Sequence, residues 1–200
     1  MLLTGLFGRI IDGIAVGGIQ MSSLGVDPFT AFVSGIGNLL NMNFGTIYPI
    51  VNEIIIVIVL FINRSPIGIT TVLDMGLIGF SADLFRQFLL TTFPNANLTL
   101  KFVIFILSLI LMGLGISFYL NSDLVGGAYD AIQLIMTNKI KSLQYKYSRI
   151  ICDVISVIMG YIGRAVLGVG TVINAFLMGP IVSFFDKHLT SKFYDRNHGK

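Results

Sequence analysis

The sequence predicts an all-α polytopic membrane protein made of two homologous halves, about residues 1–100 and 101–200. Three observations carry this. Apolar residues make up 54% of the chain and charged residues 12%, with a mean hydropathy of +0.87. A soluble domain carries about a quarter of its residues as charges, so there is too little charge here to cover a water-facing surface. Continuous Ile/Leu/Val runs such as Ile47–Ile62 and Phe102–Leu120 approach the length that crosses a bilayer as helix. They lack the alternation of a transmembrane barrel strand. Finally, the chain repeats itself at a spacing of one hundred. Asn52–Phe80 aligns with Cys152–Pro180 without a gap, and 10 of 29 positions are identical, among them Arg64, Gly68, Thr71 and Gly79. The register also matches Glu53 with Asp153 and Asp74 with Asn174, and weaker echoes join Gly13 to Gly113, Ala31 to Ala131 and Asn38 to Asn138. Duplicated halves around a site near the midplane are a common transporter architecture.

Each half reads as four segments. A long helix comes first, Leu2–Gln20 and then Phe102–Leu120. The opening residues lack a basic region and a small-residue cleavage site, so the first helix is expected to be retained. A polar break follows, Met21–Asp27 and Asn121–Gly127, then a short segment, Pro28–Leu40 and Ala128–Ile140. Pro28 suits a first helical turn, where its missing N–H costs nothing. Two long helices close each half: Thr46–Asn63 with Ile67–Leu90, and Lys146–Gly163 with Leu167–Phe185. Tight turns at Asn63–Pro66 and Gly163–Arg164 join them, and a short basic tail, 187–200, ends the second half.

The short segments decide the topology. Thirteen residues at about 1.5 Å each reach roughly 20 Å, against a hydrocarbon core near 30 Å. As half-helices they leave six full spans and inverted repeats; as spans they make eight, with parallel repeats. Leaving Arg9 aside, eight spans place ten basic residues inside and two outside, and six spans place nine and three. The positive-inside rule accepts both, and either way the basic C-terminal tail is cytoplasmic.

Intramembrane ionisable groups are costly to bury and are therefore candidates for function. Glu53, the only glutamate, and Asp153 hold equivalent places and are expected to converge on a central cavity, with Asn52 beside Glu53. Thr70, Thr71 and Asp74 share a helix face, and Thr171 with Asn174 keeps the i, i+3 relation in the second half. Helices that begin IGITT and LGVGT bring free N–H groups to such a site; Thr and small residues there also suit helix packing. Asp27 and Asp130 lie at the starts of the short segments, as N-caps or as the lining of a path. Arg9 and Asp12 read as an internal ion pair, Gly13, Gly17 and Gly18 as a packing face, and Asp83 with Arg86 as a helix end reaching the interface. Cys152 reads as a small packing residue. No nucleotide, metal or nucleophile motif is present, so no cofactor and no enzymatic activity are expected. The net charge of +3 is dispersed over helix ends, which predicts no nucleic-acid partner.

The stretch SSLGVDPFTAFVSGIGNLLNMNFGTIYPIVN, with GGAYDAIQL and the IGITT and LGVGT helix starts, resembles the YczE-like membrane proteins of bacteria, often grouped with the YitT-type proteins. Gly25–Thr30 fits the family's stretch after the first helix; Tyr129 stands where proline is often found, with Asp130 retained. The resemblance implies a bacterial cytoplasmic-membrane protein and names no substrate. The expected function is a permease-like secondary transporter of a small polar solute, with proton coupling through the buried acids. Its partners would be the lipid bilayer and the solute, with a homodimer compatible with this size. The alternative is a non-transporting accessory protein that binds another membrane protein.

Overall fold

A computed structural model of the chain describes residues 2–62, 69–120, 129, 132, 135–136 and 145–190. The described elements are helical: α1 (Leu2–Ser22), α2 (Pro28–Leu40), α3 (Phe44–Ile62), α4 (Ile69–Thr92), α5 (Leu98–Leu120), α6 (Tyr145–Ile162) and α7 (Val169–Phe185), the last prolonged by a π-type turn, Asp186–Thr190. Among the described residues, three helical stretches are long and apolar enough to cross a membrane: Phe44–Ile62, Leu98–Phe118 and Val169–Thr190. Large apolar side chains cover the outside, with Phe61, Tyr161, Phe176 and Leu98 all well exposed. Contiguous apolar surface on this scale is foreign to a water-soluble monomer, and the chain has the character of a helical membrane protein.

Glycine sets the helix packing. On one side of α1, a Cβ at Gly13 or Gly17 would overlap Ile78, Ser81 and Ala82 of α4. On the other, Gly18 meets Ser108 of α5, and a Cβ at Gly115 would come 2.8 Å from Gly8 O and 2.9 Å from Asp12 N. Without Cβ atoms the backbones approach closely enough for dispersion to hold them in lipid, where no hydrophobic drive acts between helices. Helix α3 meets α4 through Gly45 and Gly79, and the Gly45 amide donates to Asp83 Oδ2 at 2.7 Å.

The order of these contacts fixes direction. Phe7 pairs with Phe118, Gly8 and Asp12 with Gly115, and Gly18 with Ser108, so α1 and α5 run antiparallel. Gly13 lies by Ile78 and Gly17 by Ala82 and Arg86, so α1 and α4 run parallel. Phe105 faces Gly170 and Gly113 faces Ile181, so α5 and α7 are parallel too. The core fills the space between α1, α2, α3 and α5, with Ala15, Ile19, Val33, Ile47, Val51, Phe105 and Leu109 almost fully enclosed.

Helix α2 is half-length and packs on α6. A Cβ at Gly160 would lie 2.9 Å from Ala31 Cβ, and one at Gly163 would overlap the Gly35 backbone. Asn38 Nδ2 donates to the carbonyls of Gly163 (2.9 Å) and Arg164 (3.2 Å), in a turn where Arg164 has φ +54. Asn41, at φ +54, ends α2.

Candidate functional site at the start of the half-length helix

Between α1 and α2 the chain is extended, and this backbone cannot stay unsatisfied inside a bundle. Val26 N donates to Val166 O (3.1 Å) and Gly170 N donates to Leu24 O (2.8 Å), so the break is paired with the α6–α7 turn. Gly25 holds φ +124, and any Cβ there would come 2.6 Å from Thr171 Oγ1 and 2.7 Å from Thr171 N. Both the dihedral and the space therefore demand glycine. Asp27 is the N-cap of α2, its Oδ1 accepting from Thr30 N at 3.0 Å, and Pro28 follows as the first helical residue. The helix thereby begins inside the protein with a carboxylate at its positive end.

Two aromatic rings and an acid lie against that helix start. The Phe29 and Tyr129 rings stack at 4.7 Å, and Tyr48 meets Phe29 edge-on at 6.0 Å. Tyr129 OH donates to Asp153 Oδ1 at 2.7 Å, leaving its lone pairs for the Ser156 hydroxyl at 3.2 Å. The resulting chain, Ser156 to Tyr129 to Asp153, carries a proton donor at each step and ends on a half-buried carboxylate. Asp12, buried on α1, feels the charges of both Arg9 and Asp27. Its Oδ1 is buried without a hydrogen-bond partner among the described residues. Acids from the break and from α6, Asp27 and Asp153, thus lie at the helix start and its stacked rings. Among the described residues no three His, Cys, Asp or Glu side chains are arranged to hold a metal ion.

The residues expected from sequence fall in different places. Glu53 is exposed, because helical periodicity turns Asn52, Ile55, Ile56 and Val59 inward and leaves Glu53 on the outer face with Ile54 and Val57. It is not the buried partner of Asp153. Asn52 is buried, and its Nδ2 donates to Tyr48 O at 2.8 Å. Asn174 is buried with its Nδ2 on Met112 Sδ at 3.9 Å, and Thr171 Oγ1 accepts from Gly168 N at 3.3 Å at the start of α7. Thr70, Thr71 and Asp74 fall in the first two turns of α4, where the backbone alone is described; Asp130 lies outside the described residues. Asp83 is held by Gly45 rather than reaching for an interface. Cys152 is buried, its Sγ 3.7 Å from Met136 Sδ. Sequence reasoning missed Ser156 and the hydroxyl of Tyr129. The i, i+3 spacing of Asp153 and Ser156 was the available signal.

A second feature was not foreseen. A cavity of about 180 Å³ opens where the ends of α1 and α2, the start of α3, the last turns of α4 and the α6–α7 turn meet. Its polar lining is Gln20, Ser34, Asn38, Asn43 and Arg86.

Such a molecule, whose described elements are helices, three of them able to cross a bilayer, with polar groups enclosed between them, falls in the class of helical membrane proteins. Within that class, the chain belongs to the family of unknown function DUF6198, whose model matches residues 1–187. It is similar to the uncharacterised protein YyaS of Bacillus subtilis, 22% identical over 189 residues, covering 92% of this chain and 94% of that protein. It is also similar to an uncharacterised protein of Haemophilus influenzae, 25% identical over 180 residues, covering 90% of this chain and 80% of the other. No solved structure matches it.

Proposed function

We propose that this protein is a secondary transporter of a small polar solute in the bacterial cytoplasmic membrane, built as an inverted repeat of six spans and two re-entrant half-helices. One observation carries the reading: Phe29 and Tyr129, one hundred positions apart, stack on each other at 4.7 Å. Equivalent residues of two halves touch only on the axis relating them, which for inverted repeats lies in the membrane plane. Phe29 then marks mid-depth, and α2 descends from there to one face in thirteen residues, roughly 20 Å. The antiparallel run of α1 and α5, equivalent helices of the two halves, supports the same symmetry. Helices α1, α3, α4, α5, α6 and α7, at 17 to 24 residues, are each close to the length of a span. Six spans leave the basic tail, Lys139, Lys141, Lys146, Arg149 and Arg64 cytoplasmic, and Arg86, Lys101 and Arg164 outside.

In this reading the solute meets Asp27, Tyr129 and Asp153 at mid-depth. Alternating access is a rocking of α2 and its neighbours about the glycine contacts. Asp153, reached through two hydroxyls, is the proton-coupling carboxylate, and Asp12 with Arg9 holds the charge balance behind it. Glu53, being exposed, takes no central part. The narrower kinship with the YczE-like and YitT-type proteins, carried by Gly25–Thr30, belongs to this proposal.

The test is flux in vesicles of purified protein loaded with a pH-reporting dye and exposed to a panel of amino acids, hydroxy acids and polyols. Solute-dependent acidification in the wild type, lost in Asp153→Asn while the protein still folds, is the expected result. Silence over the panel, with co-purification of another membrane protein, would refute transport and favour the accessory role.

A further inference from the structure

We propose that the cavity beside α2 is a binding site for a small oxyanion group, a carboxylate or a phosphate, held by Arg86 and by the amides and hydroxyl around it. This goes beyond the transport reading and stands or falls on binding alone. The lining offers donors in excess. Arg86, near the last turns of α4, is the cation of the lining, and the planar fork of a guanidinium matches an oxyanion two bonds at a time. Gln20 adds a side-chain amide to the same lining. Ser34 and Asn43 add a hydroxyl and a second amide. Asn38 spends its amide nitrogen on Gly163 and Arg164, so the wall carrying it is fixed. No carboxylate lines the cavity, and Asp83, one turn before Arg86, is occupied by the Gly45 amide.

The other half of the sequence supplies the control. One hundred positions on from Gln20, Ser34, Asn43 and Arg86 stand Leu120, Leu134, Leu143 and Asp186. Four donors gathered round one space, with none repeated at the equivalent positions, point to a ligand rather than to the fold. The volume, about 180 Å³, suits a group of roughly half a dozen non-hydrogen atoms, since one water occupies about 30 Å³ of liquid.

The experiment measures thermal stabilisation and equilibrium binding of the purified full chain with four probes: lactate, inorganic phosphate, phosphatidylglycerol in mixed micelles, and choline as a cationic control. Wild-type protein should bind at least one oxyanion probe and ignore choline. Arg86→Gln should weaken that binding roughly ten- to hundredfold, the loss expected when hydrogen bonds to a charged group disappear. Gln20→Glu should abolish it by like-charge repulsion, and Arg86→Lys should keep part of it. Binding of lactate or phosphate identifies a soluble ligand; binding of phosphatidylglycerol alone identifies a lipid headgroup. Should Arg86→Gln not fold, Arg86→Lys and Ser34→Ala carry the test through their partial losses. The proposal is overturned if no oxyanion probe binds, if choline binds as well, or if the cavity variants bind like wild type. Vesicle flux without such binding leaves transport standing and sinks this site; binding without flux does the reverse.

Discussion

The contact of α2 with α6 makes the sharpest structural prediction, and Gly163→Ala tests it. Residue 163 has no positive φ, so alanine can adopt its backbone and the whole effect is steric. An added methyl would overlap the carbonyl oxygen, Cα and carbonyl carbon of Gly35. These are backbone atoms and cannot rotate aside, so the helices must part by about 1 Å in an interior packed as densely as a crystal. Overpacking of this kind costs about 1–3 kcal/mol. Separation also stretches the Asn38 bonds to Gly163 and Arg164, each worth about 1 kcal/mol. Taken together about 3 kcal/mol is lost. A protein of this length shifts its Tm by about 2–4 °C per kcal/mol, which gives a fall of roughly 6–12 °C.

The chain supplies its own reporter. Cys152 is the only cysteine and is buried, so a thiol-reactive dye that fluoresces on coupling reads unfolding directly. Gly76→Ala is the matched control: nothing lies within 4 Å of its added Cβ, and alanine in mid-helix gains about 0.5–1 kcal/mol over glycine. A Gly163→Ala midpoint within 1 °C of wild type would refute the close approach of α2 and α6. So would a Gly163→Ala midpoint equal to that of Gly76→Ala.

Three further predictions follow from single groups. Asp27→Ala should cost about 1 kcal/mol through loss of the α2 cap, whereas Asp27→Asn keeps the cap and should stay near wild type in the same thermal assay; equal losses would mean the charge, not the cap, is at stake. Tyr129→Phe retains the stack on Phe29 but removes the hydrogen bond to Asp153, and should lower stability by about 1 kcal/mol, with no change counting against the bond. In a Cys152→Ser background, Asn95→Cys, in the exposed turn between α4 and α5, should react with an impermeant maleimide on intact cells, and Lys187→Cys only after permeabilisation. Modification of both from the same side would favour eight spans over six.

Much of the helix pattern was legible because hydrophobic runs and punctuation agree. Proline at position 28 and Asn41 after Leu40 bound α2 in sequence as they do in the structure, and α3, α4, α6 and α7 begin and end within about two residues of their apolar runs. The start of α5 at Leu98 was not legible. Its first turn is polar at Thr99 and Lys101, and its boundary is set by Asn97, whose side chain accepts from Leu100 N. Sequence marked which acids sit inside helices but not which way they face. A single position of helical phase separates buried Asn52 from exposed Glu53. The cavity was illegible because its lining comes from five separate elements. Gln20 and Arg86 lie sixty-six positions apart, and only the parallel packing of α1 on α4 brings them to one level.

The differences between the halves carry as much information as the repeat. One glycine that lets helices approach recurs at one-hundred spacing: Gly13 meets Ile78 and Ser81, and Gly113 meets Ile181. Side chains with chemistry often do not recur. Phe29 stands opposite Tyr129, and Ile56 opposite Ser156, so the first half lacks both hydroxyls that engage Asp153. Glu53 accordingly has no counterpart of that cluster to turn toward, and it sits on the surface. Equal halves would bind a solute identically from both sides of a membrane. Here one half contributes Gln20, Ser34, Asn43 and Arg86 to its cavity, where the other has three leucines and an aspartate at the equivalent positions. In the inverted-repeat reading, halves that diverged in these donors present chemically unequal faces to the two sides of the membrane. Combining Gln20→Leu with Arg86→Asp should therefore erase oxyanion binding and spare the helix contacts, since Gly17 meets only the backbone nitrogen of Arg86, which the substitution keeps.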